Sequence, residues 1–435
     1  MKICFLGAGS TVFVRNVIGD ALVTDVLRDA EYALYDIDPK RLDDSLAMLS
    51  NINHNANADR ASLKGYVGLE NLEAALAGAT FVINAVQIGG YEPSTVIDFS
   101  IPKKYDLQQT IADTLGIGGI FRTLRTLPVF DQFADAIEKV CPDAWLLNYS
   151  NPMAMLTGYL QRYRKVKTVG LCHSVQVCVP HLLKSLDMEY TEDIQWKIAG
   201  INHMAWLLEI SKDGVDLYPE IKRRAAELGS PEKDKVRFEM MNTFGYYVTE
   251  SSEHNAEYLP YFIKRAYPEL IEEYNIPLDE YPRRCIKQIK DWNEMRESLT
   301  TDKDLSHERT HEYASYIMEA MVTNKPFKIG GNVLNTGLIT NLPHNACVEV
   351  PCLVDASGVT PTYVGDLPEV CAALNRTNVN VHLLTIEAYR SRRKEDVYKA
   401  ALLDPHTSSE LSMREIKQLC DELLEAHKDF IGEFA

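Results

Sequence analysis

Cys172, His173 and Ser174 stand side by side in "GLCHSV", and His203 follows in "GINHMAW". A thiolate and an imidazole can hold one divalent ion and leave several of its positions open for water or substrate oxygens. A buried thiol and a hydrogen-bonded core histidine give the same two letters, so the pair alone leaves both readings open. A denser set of titratable groups follows. "YYVTESSEHNAEYLPYF" crowds Glu250, Glu253, His254, Glu257 and Tyr258 together, and "TIADTLGIGGIFRTLRT" brings Asp113 with Arg122 and Arg125 at helical spacing. Such a set suits general acid and base work, although a solvated helix face also accounts for the carboxylates.

A second chemistry is written at the start of the chain. "ICFLGAGSTV" places Gly7, Gly9 and Ser10 in a turn between a strand and a helix, where backbone can approach a pyrophosphate. Val12 replaces the third glycine of that fingerprint. Asp36 closes the next strand, where a carboxylate accepts both ribose hydroxyls of NAD and repels the extra phosphate of NADP. Asn84 and Gln87 in "INAVQIGGYE", and Asn148 and Asn151 in "LNYSNPMAM", end later strands with donors and acceptors near the same crevice. An asparagine before a proline is equally a turn former.

These residues need a scaffold that brings strand ends together. Apolar runs at Lys2–Leu6, Tyr32–Tyr35, Phe81–Val86, Trp145–Asn148 and Thr168–Leu171 alternate with helical stretches. That alternation predicts a parallel sheet covered on both faces, with ligands beyond the carboxyl ends of its strands. The fold class is α/β: a Rossmann-like NAD-binding domain of the lactate and malate dehydrogenase kind over 1–195, and a mixed α+β domain over 196–435 that completes the site. In the second part, longer helical patterns mix with isolated strands, as in Trp196–Ile210 and Asn378–Ser391. Two charged stretches, Ser230–Arg237 and Thr300–His311, are expected as solvated loops or lids.

Composition narrows the partners. Across 435 residues, 45 basic and 62 acidic side chains give a net charge of −17, which disfavours nucleic acid. Nine scattered cysteines fit a reducing compartment rather than a disulfide scaffold. No run approaches a membrane span, and glycines interrupt "KICFLGAG" too early for a signal peptide, so a soluble cytoplasmic protein is expected.

"GAGSTVF", "DIDPKRL", "QIGGYEP", "QTIADTLG", "NYSNPMAM", "GLCHSVQ", "GINHMA", "VTESSEH" and "CVEVPCLVD" occur in this order along nearly the whole chain. In that order and content the chain resembles glycoside hydrolase family 4. Its tetrad Cys172–Val175 is similar to that of the α-galactosidase branch rather than the phosphoglucosidase branch. The resemblance implies bound NAD and a divalent metal, usually Mn2+, in a cycle outside the two-carboxylate glycosidases. C3 of the sugar is oxidised, C2 loses a proton, the C1–oxygen bond breaks by elimination, water adds, and C3 is reduced again. It further implies Cys172 and His203 as metal ligands, His173 as the acid, Asp113 as a sugar contact that raises the basicity of the base, and Asn151 as a substrate contact. For the base it leaves Tyr258 and Glu250. The implied substrate is a small α-galactoside of melibiose or raffinose type, and a homodimer or homotetramer is expected. An α-glucuronidase or α-galacturonidase is the near alternative, with Arg122 or Arg125 aimed at a C6 carboxylate. A metal-free NAD-dependent hydroxy-acid dehydrogenase is the distant one.

Overall fold

The computed structural model describes residues 1–435. Six strands make the parallel half of its sheet: β1 (Lys2–Leu6), β2 (Glu31–Asp36), β3 (Ser62–Val67), β4 (Phe81–Asn84), β5 (Trp145–Asn148) and β6 (Lys167–Gly170). They lie in the order β3-β2-β1-β4-β5-β6, all parallel. This is the doubly wound order whose reversal beside β1 opens a dinucleotide crevice. The chain therefore has the expected Rossmann-like α/β fold.

The sheet does not stop at β6. β7 (Gln195–Ile201), β8 (Met204–Lys212), β9 (Val215–Asp216), β10 (Tyr247–Val248), β11 (Phe327–Leu334), β12 (Cys347–Asp355) and β13 (Gly358–Pro361) extend it antiparallel. The main path runs on as β6-β11-β12-β7-β8-β10, in one sheet of 13 strands. Trp196–Ile210, expected among helical patterns and isolated strands, is instead the β7–β8 hairpin. Much of β8 is covered on both faces, so it carries little of the alternation that marks a half-exposed strand. β3, absent from the sequence reading, is an edge strand with few apolar residues.

Local chemistry sets the element ends. Asp38 caps the helix Pro39–Asn57 by accepting from the backbone N–H of Lys40 and Arg41, with proline at the first helical position. A reciprocal Ser412–Glu415 capping box starts the helix Met413–Ala426. The largest apolar cluster runs from Ile3, Phe5 and Leu34 through Val169 and Leu171 to Ile201, Trp206, Val348 and Val350. Because it is continuous under both halves of the sheet, it holds their strand ends at one level. At roughly 1.5–3 kcal/mol for each large apolar side chain removed from water, this is the dominant force fixing the site's frame.

The charged stretches are not free loops, a correction to the sequence reading. Asp234 and Val236 are buried in the first stretch. In the second, Thr300 and Thr301 end a helix, and Leu305 is buried. Asp20, buried in the helix Val12–Leu22, accepts from His307 Nε2, Thr310 N and Thr310 Oγ1, each at 2.7 Å. Charges that looked destined for water find partners far away in sequence. No helix is long and apolar enough to cross a membrane.

Candidate active site

Four backbone segments converge beyond the carboxyl ends of the central strands. Gly7, at φ +89°, turns the chain after β1, and a Cβ there would meet Ala85 backbone at 3.1 Å. Gly9 lets the Asp36 carboxylate come close: its N–H donates to Asp36 Oδ2 at 2.6 Å, where a Cβ would lie 2.8 Å from the same oxygen. Ser10 Oγ is buried with no partner. A buried hydroxyl facing nothing beside a glycine turn fits a site awaiting phosphate oxygens. Gln87 Oε1 accepts from Tyr281 Oη at 3.2 Å. Asn84 Nδ2 donates to Asn148 Oδ1 at 2.9 Å across β4 and β5, so these two amides brace each other, and Asn84 Oδ1 stays unpartnered.

Cys172 follows β6 and immediately precedes the helix His173–Ser185. His203 is in the β7–β8 turn with φ +61°, and Glu250 follows β10 with φ +69°. Two non-glycine residues in the left-handed region at one site mark strain held by the surrounding fold. Ligand atoms of Cys172, His203 and Glu250 all lie within 4.8 Å of one another. His203 Nε2 is 3.4 Å from Glu250 Oε2, and Cys172 Sγ is 4.0 Å from that oxygen. A thiol, an imidazole and a carboxylate converging from separate elements fit a divalent ion. His203 Nδ1 meets Tyr258 Oη at 3.1 Å, which leaves Nε2 free for that position.

The electrostatics agree with the distances. Burial opposes a charge on His203, yet Glu250 and Cys172 outweigh it and push the imidazole up to about 10. Glu250 is half-buried; burial opposes its charge, but His203 and His254 hold its carboxyl below the usual range. Asp113 Oδ1 accepts from Thr114 Oγ1 at 2.9 Å and faces His254 Nε2 at 3.8 Å. Burial works against its charge, while His254, Arg122 and His203 favour it and leave the carboxyl lowered. Tyr258, 1 % exposed, has its phenol raised well above the ordinary value by burial first and then by Asp113, Glu257 and Glu250.

His173, the first residue of the helix that follows Cys172, is exposed and pairs with Glu312. Its Nε2 meets the two Glu312 oxygens at 2.8 and 2.7 Å, and its ring lies against Tyr149 and Phe13. Burial opposes protonation, but the Glu312 hydrogen bond and charge prevail and raise the imidazole. Asn151 Oδ1 is buried without a partner.

Two residues of the site lay outside the sequence reading or in its background. Glu312 lies 139 residues from His173 and belongs to no local pattern. Glu257, noticed only as one of a crowd, accepts from the backbone N–H of Thr110, Ile111 and Ala112 at 2.8, 3.2 and 2.7 Å, and so anchors the segment that carries Asp113. Arg125, a candidate for a substrate carboxylate, is instead closed onto Asp98.

Comparison with known proteins now decides the family. The family 4 glycosyl hydrolase model matches residues 2–188, and the model of the family 4 glycosyl hydrolase C-terminal domain matches 198–407. The chain is 61% identical over 434 residues to the alpha-galactosidase of Bacillus subtilis, covering 100% of this chain and 99% of that one. The chain belongs to family 4 of the glycosyl hydrolases. A more distant relative is the alpha-galacturonidase of Thermoanaerobacter italicus, 27% identical over 99% of this chain and 97% of that one. Among solved structures, the 6-phospho-beta glucosidase of Thermotoga maritima with manganese, NAD+ and glucose-6-phosphate shares the fold. Its TM-score is 0.81 at 22% identity, with 100% of each chain covered. The family's two models divide where β7 begins to extend the sheet, so the site described above draws on both.

Proposed function

We propose that this family 4 enzyme hydrolyses terminal α-galactosides with NAD and a divalent ion, Mn2+ foremost, as resident cofactors. The full-length likeness to an alpha-galactosidase carries the substrate class. The convergence of Cys172, His203 and Glu250 beside a glycine turn supports the cofactor pair. Residues 1–195 act as the half that holds NAD: Gly7, Gly9 and Ser10 at the pyrophosphate, Asp36 at the ribose, and Asn84, Gln87 and Asn148 around the crevice. Residues 196–435 complete the site. Cys172 and His203 hold the ion, with Glu250 facing it. When bound, NAD supplies reversible oxidation at a sugar carbon, and the ion supplies positive charge beside neighbouring oxygens, which acidifies the C2 hydrogen.

The chain's own groups then move protons. Tyr258 takes the C2 proton as its phenolate, its own proton having gone to solvent. The positive charge of the bound ion would favour that ionisation against burial, the negative charge of Asp113 raises the basicity of the phenolate, and Glu250 holds His203 in place. His173, fixed by Glu312 at Nε2, gives a proton from Nδ1 to the leaving oxygen. Asn151 Oδ1 accepts from a sugar hydroxyl. A thiol in this role needs a reducing compartment, in keeping with nine free cysteines, and we place the enzyme in the cytoplasm.

One observation favours a second reading, an α-galacturonide as substrate. Arg122 is buried, its one side-chain hydrogen bond is to Tyr281 Oη at 3.4 Å, with the guanidinium over the Tyr281 ring, and it lies on the Asp113 side of the site. A guanidinium so weakly engaged can take a C6 carboxylate. Hydrolysis of α-galactoside and α-galacturonide in heavy water tests both readings. The expected result is higher kcat/KM on the galactoside and galactose labelled with deuterium at C2. Preference for the uronide would transfer the assignment, and product with only protium at C2 from active enzyme would overturn the mechanism.

A further inference from the structure

The two proposed metal ligands come from opposite sides of a narrow seam. β6 pairs with β11 at a single position, Asn332 opposite Gly170, and β12 pairs with β7 at a single position, Glu349 opposite Gly200. Within the well-paired β11–β12 ladder, Asn332 stands opposite Glu349. The result is one row across four strands, Gly170–Asn332–Glu349–Gly200. Cys172 lies just beyond one end of it, and His203 just beyond the other.

Contacts one residue wide fix register poorly by backbone alone. Side chains supply what the backbone lacks. Asn332 Nδ2 donates to Glu349 Oε1 at 2.9 Å and also meets Gly170 O at 3.4 Å. Gly170 allows this approach, since a Cβ there would lie 2.9 Å from Asn332 Cβ and 2.5 Å from Met153 Sδ. Asn202, in the hairpin turn beside His203, has both amide atoms buried without a hydrogen-bond partner, as has Glu349 Oε2. Asn332 and Glu349 are 0% and 1% exposed. Burial pushes the Glu349 carboxyl up to about 7, against the lowering effect of the Asn332 hydrogen bond. Buried polar groups that a core could have replaced with apolar ones call for a reason.

We propose that Asn332 and Glu349 are positioning residues for the metal site, clasping the seam so that Cys172 and His203 are held at one spacing. This rests on the reading of Cys172 and His203 as metal ligands. The test uses the full chain and three variants, Glu349→Leu, Asn332→Leu and Glu349→Gln. Mn2+ affinity is read from the paramagnetic resonance of free Mn2+, thiolate ligation from the Cys172-to-Co2+ charge-transfer band, NAD affinity by calorimetry, and folding by thermal melts. Both leucine variants are expected to weaken Mn2+ by about 10-fold or more and to dim the Co2+ band, with NAD affinity changed by about twofold or less. Glu349→Gln keeps an acceptor for Asn332 and is expected to stay within about threefold of wild type. If a leucine variant fails to fold, Asn332→Ala carries the test, because it removes the donor without adding bulk to the seam. Unchanged Mn2+ affinity in the variants overturns this inference alone, as does parallel loss of Mn2+ and NAD or a Gln variant as damaged as Leu. A wild-type enzyme that binds no metal overturns it together with the reading it rests on.

Discussion

Two of the charge clusters in this molecule are built on opposite plans. In one, Asp98 accepts from Arg125 at 3.0 and 2.6 Å and meets His427 Nε2 at 2.8 Å, while Arg125 Nε donates to Ile88 O at 3.1 Å. Its charges meet within hydrogen-bond distance. In the other, His203 and Glu250 face each other at 3.4 Å, His254 and Glu250 at 3.6 Å, Asp113 and His254 at 3.8 Å, and Cys172 and Glu250 at 4.0 Å. Most of these contacts are too long for good hydrogen bonds, so the groups surround a position rather than complete one another. A closed cluster holds the fold; an open one has room for a ligand. Composition cannot separate the two, because both are carboxylates with histidines.

The largest expected effect breaks the open cluster. If Cys172 is the soft ligand proposed above, Cys172→Ser should lower turnover on the order of 1000-fold, the several kcal/mol that a Lewis acid supplies. NAD affinity and the thermal midpoint should barely move, since the thiol packs into no core and the glycine turn lies in another segment. Equal loss of metal and NAD binding would make Cys172 a structural residue. The closed cluster should fail in the reverse sense. Arg125→Met strands Asp98 and is expected to cost about 3–5 kcal/mol of stability, measured by denaturant titration. The folded fraction should keep its kcat. A large fall in kcat without loss of stability would place Arg125 in the catalytic machinery.

How much of this could be read from the chain follows from the range of each signal. β1 and β5 were legible to the residue, because fully buried parallel strands leave uninterrupted apolar runs. The glycine turn and Asp36 were legible because a strand, a turn and a helix sit together in sequence. The antiparallel extension was not, since a hairpin covered on both faces loses its period, and edge strand β3 has too few apolar residues to stand out. Cys172 and His203 were visible as residue types, but their meeting depends on the seam between β6 and β7. The partner of His173, Glu312, was beyond any local pattern, and Asp20 turned a stretch expected in water into a packed segment. Only their partners in the fold, Tyr281 and Asp98, separate Arg122 from Arg125, which look alike at helical spacing.

A third test sharpens the open cluster by asking which of its members takes the proton. Tyr258→Phe should reduce the rate of C2 exchange in heavy water by about 100-fold or more, the usual contribution of a placed base. Metal affinity should fall only slightly. Glu250→Gln should instead weaken Mn2+ binding and leave the exchange rate at saturating metal within about 10-fold of wild type. Loss of exchange in Glu250→Gln with full metal occupancy, and retention in Tyr258→Phe, would exchange the two roles.

The smallest effect concerns acid, and it tests whether the closed cluster is held by charge. Burial raises the Asp98 carboxyl, while Arg125 first and His427 second lower it, and the net result lies below the ordinary value. A carboxyl with a depressed folded-state pKa contributes stability that is complete above its unfolded pKa, about 3.9. That contribution is lost as pH falls through the folded-state value, because the unfolded chain binds the proton first. In Arg125→Met the main lowering influence is gone and burial remains, so Asp98 is protonated more readily in the folded state and this acid sensitivity disappears. The stability gap between wild type and Arg125→Met should therefore narrow as pH is lowered from about 5 toward 3. The gap between wild type and Cys172→Ser, which leaves Asp98 untouched, should stay level over the same range. Urea melts at several pH values measure both gaps in one series. A constant Arg125→Met gap would mean that the guanidinium stabilises the fold by packing and by its bond to Ile88 O, with the Asp98 charge contributing nothing, and the contrast between closed and open clusters would lose its electrostatic basis.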